Sequence, residues 1–262
     1  MTTVEDLLAA YDQQMRRESA NLPRGVWHER DGPVVRVVGR HEGFISTPRD
    51  VGVRGADLDR LIARQRDYFA ARAEPVEWKT WAYDQPADLT DRLVAAGFVP
   101  GDPETVVIGL ASDMATEPVL PEGVVLSQVT EPTDIYRIAE MEAKVWGHDS
   151  SGLASDVISE MAAAPDDILV FAAEAAGIIV SAGRIEFRPG TEFAGLWGGA
   201  TLREWRGKGI YRALVARRAH LAAARGVRYL QVDASADSAP ILQRLGFAAV
   251  TTTTPYVWSP QS

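Results

Sequence analysis

Positions 206–211 read Arg206-Gly207-Lys208-Gly209-Ile210-Tyr211, and an alanine-rich segment that is predicted to be a helix follows them as far as Arg225. A helix N-terminus presents unpaired N–H groups and the positive end of the helix dipole. Glycines let backbone amides approach a ligand without an intervening Cβ, and the two basic residues add positive charge. The stretch is therefore predicted to hold a phosphate or pyrophosphate at the start of the helix.

The spacing of these glycines argues against two common nucleotide-binding loops. A P-loop needs Gly-Lys followed by Ser or Thr, and here Gly207-Lys208 is followed by Gly209. A dinucleotide fingerprint needs a third glycine, which this stretch lacks. A glycine-containing turn with exposed basic residues stays open as the alternative.

The stretch resembles the coenzyme A signature of the GNAT N-acetyltransferase superfamily, Arg/Gln-x-x-Gly-x-Gly/Ala at a strand-to-helix junction. Arg206 occupies the first position of that signature and Gly209 its first glycine, whereas Tyr211 replaces the final small residue. The resemblance implies that acetyl-CoA binds here as the acyl donor. The residues it implies for coenzyme binding are Gly199, Ala200, Thr201, Arg206, Gly207, Lys208, Gly209, Ile210, Tyr211 and Ser235.

The segments around the signature follow the order of elements in the same superfamily. Gly226 is predicted to end the helix, Val227 to Val232 is rich in strand-forming residues, and Leu245-Gly246-Phe247 precedes a predicted last hairpin at 248–258. Gly199-Ala200-Thr201 stands where the fourth strand of the family offers backbone groups to the pantetheine arm. The resemblance covers roughly the second half of the chain.

The first half repeats the pattern of the second half. Asp84 and Asp233 are 149 positions apart, as are Gly97 and Gly246, and Arg54-Gly55 corresponds to the start of the signature. The agreement extends over a helix, a strand and a turn, which favours duplication over a chance match.

The first copy is expected to be degenerate, because Asp57 stands where the signature has Gly209. A carboxylate at that position would repel a pyrophosphate. Pro118 and Pro121 then interrupt both helix and strand between the copies. We therefore expect an α+β protein with tandem GNAT-like domains, residues 1–115 and 116–262, each a mixed, mostly antiparallel sheet flanked by helices. The first is expected to cover a sheet edge or wall off the substrate pocket, and the second to be catalytic.

The composition and net charge of the chain indicate which kinds of molecule it is expected to bind. The chain has 262 residues and a net charge of −9, which argues against nucleic acid or an anionic membrane and favours a cationic or small neutral substrate. It has no cysteine, which excludes disulfides, cysteine metal sites and a cysteine acyl-enzyme. The spacing of His, Asp and Glu residues predicts no metal site.

The N-terminal residues lack the features of a signal peptide, because Glu5, Asp6 and Asp12 interrupt the apolar positions. No window of the sequence is apolar enough to span a bilayer. The expected location is the cytoplasm, and the expected assembly is a monomer or a homodimer.

Three residues are candidates for the general base that removes a proton from the acceptor amine. His148 lies in a predicted break between two helices, where loops near acceptor pockets tend to carry function. Glu192 is predicted to start the fourth strand, and Glu186 lies on the third. Each also has a simpler interpretation as a solvent-exposed side chain.

The usual proton donor to the departing thiolate is missing from the sequence. Many family members have a Tyr three residues before Leu-Gly-Phe, and Leu242 occupies that position here. Tyr211 beside the phosphates, Tyr256 on the last strand, or solvent could supply the proton, and the sequence does not decide among them.

The resemblance implies an N-acetyltransferase that moves an acetyl group from acetyl-CoA to an amine of a small molecule or a peptide by direct attack in a ternary complex. A catalytically silent coenzyme A-binding sensor or partner module is the alternative, since Leu242 replaces the tyrosine and the first half is degenerate. A small-ligand binding protein whose glycine loop is only a turn ranks third. The sequence does not identify the acceptor.

Overall fold

The computed structural model describes residues 2–16, 22–147 and 149–260, which form one mixed sheet with helices on both faces. Strands of the N-terminal half (positions up to 115) are β1 (Trp27–Asp31), β2 (Val34–Val38), β3 (Gly43–Ser46), β4 (Val76–Trp81), β5 (Val99–Pro100) and β6 (Glu104–Leu110). Strands of the C-terminal half are β7 (Val124–Val129), β8 (Ile168–Ala175), β9 (Ile178–Phe187), β10 (Phe193–Thr201), β11 (Tyr229–Ala234) and β12 (Ala248–Trp258). The helices are α1 (Val4–Gln14), α2 (Gly55–Ala70), α3 (Leu89–Ala95), α4 (Ala111–Met114), α5 (Pro132–Trp146), α6 (Ser151–Ala163), α7 (Ile210–Ala224) and α8 (Ala239–Arg244).

The sheet is mixed and mostly antiparallel, as the sequence predicts. Its strands lie in the order β1-β2-β3-β4-β12-β6-β11-β10-β9-β8-β7, with β5 paired to β12. The parallel pairs are β3 with β4 and β10 with β11. The predicted α+β class with helices on both faces is confirmed.

The two halves exchange their last strands. β6 belongs to the N-terminal half but lies between β11 and β12, and the outer part of β12 pairs with β4. The prediction of a separate sheet for each half is therefore corrected to one continuous sheet. The hairpin predicted at 248–258 is also wrong: this segment is one long strand that pairs first with β6 and then with β4.

Alternating side chains separate the two faces of the sheet. Helices α1, α5 and α6 cover one face, which we call the α5 face, and α2, α3, α7 and α8 cover the opposite, α7 face. The core beneath α7 includes Leu214, Leu230 and Phe247, and the core beneath α5 includes Ile138 and Val170. In the ranges that the structure describes, no helix combines the length and apolarity needed to cross a bilayer.

Candidate active site

The N-terminus of α7 is open. Gly207 and Gly209 adopt left-handed φ angles of 75° and 85°, which glycine tolerates best, and they lead the chain into the helix. No side chain caps α7, and no protein acceptor within the described ranges occupies the amides of Ile210, Tyr211 and Arg212. These N–H groups lie at the positive end of the helix dipole and are available to bind an anion.

Two exposed cations flank these amides. Arg206 Nε donates a hydrogen bond to the carbonyl of Thr201 at 3.2 Å, which fastens the loop to the end of β10. Its Nη1 lies 3.7 Å from the Asp237 carboxylate. Lys208 Nζ lies 4.4 Å from the centroid of the Trp205 ring. Both side chains belong to the loop that leads into α7, where a phosphate site needs positive charge.

A cleft leads away from this loop into the sheet. β10 and β11 pair only from Phe193 opposite Tyr229 to Gly195 opposite Gln231, although β10 continues to Thr201. The pairing ends there, so the two strands diverge towards the loop. Parallel strands that separate in this way leave backbone groups of β10 unpaired on their β11 side.

The residues predicted for coenzyme binding meet around the open end of this cleft. Gly199 to Thr201 form the end of β10, positions 206–211 form the loop and the first turn of α7, and Ser235 follows β11 directly. Ser235 is exposed, and its hydroxyl accepts a hydrogen bond from the amide of Ser238 at 3.3 Å. Their contacts with a coenzyme stay a prediction.

Gly198 and Gly199 lie at the bulge of β10, so no side chain projects from either face of the sheet at these two positions. A Cβ at Gly198 would lie 3.2 Å from Glu142 Oε1 and 3.1 Å from Arg184 Nη1, on the α5 face. A Cβ at Gly199 would lie 2.8 Å from the Tyr211 ring, on the α7 face. A group seated at this bulge can therefore be approached by a carboxylate from one side and a phenol from the other.

Glu142 is the functional candidate that sequence reasoning missed. Its side chain lines a small cavity of about 30 Å³ between α5, α6 and the sheet, together with Arg184 and apolar residues such as Ile138, Leu153 and Val157. Only 7% of Glu142 is exposed, and none of the described residues forms a hydrogen bond or ion pair with its carboxylate. Burial raises the pKa of Glu142 to about 7, against the opposing effect of Arg184.

A pKa near neutrality suits a general base, because the group is partly ionised and still basic enough to accept a proton. One signal in the sequence could have found this residue. Ile135, Ile138, Ala139 and Glu142 share one face of an amphipathic helix, so the carboxylate falls on the buried face.

Of the three residues predicted to be catalytic, the two that the structure describes are not brought to this bulge. His148 lies outside the described residues. Glu192 precedes β10 at the end far from the loop, about 20 Å of strand from Gly198, and its amide donates to Gln14 Oε1 at 2.7 Å. Tyr256 is buried in the core under α2 and α3 on the α7 face. Their catalytic roles stay predictions.

The structure also places Glu186, the remaining candidate base, and Leu242, which replaces the usual tyrosine. Glu186 accepts a hydrogen bond from Arg184 Nε at 2.7 Å on the α5 face, so it is not the exposed side chain that the strand pattern suggests. Leu242 is fully buried in the core beneath α7 and has no proton to give. Within the described ranges, no group of three or more His, Asp or Glu side chains is arranged to hold a metal ion.

Comparison with known proteins agrees with this geometry. A family model described as the acetyltransferase (GNAT) family matches residues 133–247. No curated protein matches the sequence. A GCN5-related N-acetyltransferase from Kribbella flavida superposes with a TM-score of 0.68 at 16% identity, covering 100% of this chain and 97% of the other.

Two further solved structures have the same fold. A GCN5-related N-acetyltransferase from Sphaerobacter thermophilus has a TM-score of 0.61 at 17% identity, covering 88% of this chain and 82% of its own. A tandem GNAT protein from the clavulanic acid biosynthesis pathway has a TM-score of 0.57 at 15% identity, covering 92% and 86%. Identities this low establish a shared fold. The family match adds support for acetyl transfer in general, and we conclude that residues 133–247 of this chain form an acetyltransferase domain of the GNAT family.

Proposed function

We propose that the chain is an N-acetyltransferase that uses acetyl-CoA as acyl donor and a small-molecule or peptide amine as acceptor. The observation that carries this proposal is the cleft between β10 and β11, which runs from the uncapped N-terminus of α7 to the glycine bulge. The loop at 206–211 would hold the pyrophosphate. The end of β10 would bind the pantetheine arm and present the acetyl group at Gly198 and Gly199.

The positions of the side chains fit direct attack in a ternary complex. The amino group of the acceptor enters the small cavity beside Glu142, and its nitrogen attacks the thioester carbonyl carbon. Glu142 accepts the proton that the amine loses. A backbone amide of β10 polarises the acetyl oxygen. The new C–N bond forms as the C–S bond breaks, and the electron pair leaves with the sulfur.

The thiolate then needs a proton, and Tyr211 is the best placed phenol. Its ring lies against Gly199, directly at the bulge. Burial raises the pKa of Tyr211, so the phenol is protonated at neutral pH, and the same shift makes it a weaker proton donor than an exposed tyrosine. Solvent is the other source, because a thiolate is a modest base.

The N-terminal half would act as a wall of the acceptor cavity. Arg40 forms an ion pair with Glu160 of α6, and His41 Nδ1 contacts the Asp156 carboxylate on the same helix. A Cβ at Gly152 would lie 3.0 Å from the His41 ring, so the loop before β3 packs closely on α6. These contacts support the proposed structural role of the first domain, residues 1–115, as a wall against the second domain, residues 116–262.

The first prediction tests turnover. Acetyl-CoA is incubated with a panel of primary amines, and release of free thiol is followed with a thiol reagent. Since the chain contains no cysteine, every thiol detected comes from the coenzyme. We expect amine-dependent release.

A coenzyme A-binding sensor is the alternative, and the observation that favours it is Leu242, which removes the usual proton donor. Tight binding of acetyl-CoA without thiol release from any amine would support the sensor and reject the transferase.

A further inference from the structure

A second group of charged residues lies beside the glycine bulge on the α5 face. Lys79 of β4 forms an ion pair with Asp233 of β11, and its Nζ lies 3.4 Å from Glu104 Oε2 of β6. The same Nζ lies 5.9 Å from the ring centroid of Trp197, which precedes Gly198. The charged group therefore reaches the residue next to Gly198, which lines the cavity beside Glu142.

Two carboxylates of this group lack a cation. Glu77 lies two residues before Lys79 on the same face of β4, and Glu42 precedes β3, which pairs with β4 there. In the described part of the chain, neither Glu42 nor Glu77 forms an ion pair or a hydrogen bond. Lys79 is already shared between Asp233 and Glu104.

Burial raises the pKa of Glu77 to about 7, with Lys79 opposing and Glu42, Glu104 and Asp233 adding to the rise. Burial also raises the pKa of Glu42. Half-buried carboxylates without a partner destabilise the folded chain, so a cationic ligand here would relieve an existing penalty.

Two deeply buried polar groups in the same region are also without partners. Glu142 is 7% exposed and lines the same small cavity as Gly198. Thr253 is 1% exposed, its hydroxyl has no hydrogen-bond partner, and β12 places it opposite Glu104 on the same face. Buried polar groups without partners are uncommon, and a polar ligand on this face of the sheet could satisfy them.

The strand exchange explains how the N-terminal half reaches this site. Glu42, Glu77, Lys79 and Glu104 all belong to that half, whereas Asp233 belongs to the other. Insertion of β6 beside β11 and pairing of β4 with β12 bring them together. The N-terminal half thus supplies acidic groups to the same face of the sheet as the proposed base, Glu142, which comes from the other half.

We propose that Glu42 and Glu77 form an anionic subsite for a second cationic group of the acceptor. The preferred acceptors are then amines with a second positive charge, such as linear diamines or lysine-like compounds, with one amine at Glu142 and the other at the subsite. This proposal rests on the proposed acetyl transfer. An acceptor carboxylate is disfavoured, because Arg184 is already paired with Glu186.

Three matched acceptors test the subsite. Cadaverine, pentylamine and aminovalerate share a five-carbon chain and end in a second ammonium, a methyl group and a carboxylate. We expect kcat/KM, measured by thiol release, to be about tenfold or more higher for cadaverine than for pentylamine, as one buried charge pair allows. Aminovalerate should be the poorest.

Two variants locate the selectivity. Glu77→Gln and Glu42→Gln should each bring the ratio of cadaverine to pentylamine kcat/KM towards one. Glu122→Gln removes the same charge from an exposed position elsewhere and should leave the ratio unchanged.

The outcomes separate the two proposals. Equal kcat/KM for cadaverine and pentylamine in the wild type would reject the subsite and leave acetyl transfer standing. If no amine releases thiol, acetyl transfer fails, and calorimetric titration of the coenzyme-bound protein decides the subsite alone. Cadaverine must then bind more tightly than pentylamine, and equal binding would overturn the subsite.

Discussion

The burial of Glu142 raises its pKa into the range that suits a general base, and the same burial lowers the stability of the folded chain when the carboxylate is ionised. Its carboxylate is buried among apolar side chains and has Arg184 as its nearest described cation. The pKa of Glu142 is about 7 in the folded chain and 4.5 as its ordinary value, so only the folded chain retains the proton between these values. The free energy of unfolding therefore falls as the pH rises through that window.

Replacement Glu142→Gln should consequently stabilise the protein and impair it. At pH 8 we expect a gain of up to about 3 kcal/mol in the free energy of unfolding, because the glutamine carries no buried charge. We expect kcat/KM to fall about 100-fold or more, with loss of the rise in rate around pH 7. Denaturant melts and a pH–rate profile measure both effects.

Glu140→Gln is the matched control, since Glu140 lies on the same helix but is exposed. It should change neither quantity. A Glu142→Gln protein with full activity and an unchanged pH–rate profile would remove Glu142 from the mechanism.

The contrast between the loop and the base shows what can be predicted at this scale. The loop at 206–211 is a local feature, because two glycines and a helix start fix the backbone within a few residues. The environment of Glu142 depends on Arg184 and Gly198, which lie 42 and 56 positions away in the sequence. The sequence pattern predicts which face of α5 carries Glu142, but it does not predict which residues surround the carboxylate.

At the scale of elements, the exchange of β6 and β12 is the feature that the sequence did not reveal. Each strand has the alternation and β-branched residues that predict a strand. The sequences of β6 and β12 do not indicate which strand each one pairs with, because the edge strands of both halves of the sheet offer the same backbone N–H and C=O groups. The order of elements could be predicted, whereas the partners of the last strands could not.

The exchange makes a prediction about cleavage between the halves. A specific protease site inserted after the exposed Glu122 should be cut without separating the fragments, since β6 stays between β11 and β12. The cut protein should elute from a sizing column as one species of native size and give two bands on a denaturing gel. Fragments that elute separately would contradict the exchange.

At the scale of the whole molecule, the two halves contribute different parts of the proposed site. The C-terminal half carries the cleft, the open helix N-terminus and Glu142, and the N-terminal half supplies β4, β6 and their acidic side chains. The net charge of −9 favours a cationic substrate, and the proposed subsite at Glu42 and Glu77 would bind its second positive charge.

The central claim is that the amides at the start of α7 bind the diphosphate of acetyl-CoA, and calorimetric titration tests it most directly. Gly209→Asp would place a carboxylate on these amides, so it should abolish binding. Gly190→Asp has a similar positive φ of 76° in an exposed turn with no atom within 4 Å, and it should bind like the wild type. Acetyl-CoA binding equally well to all three proteins, or to none of them, would contradict the account.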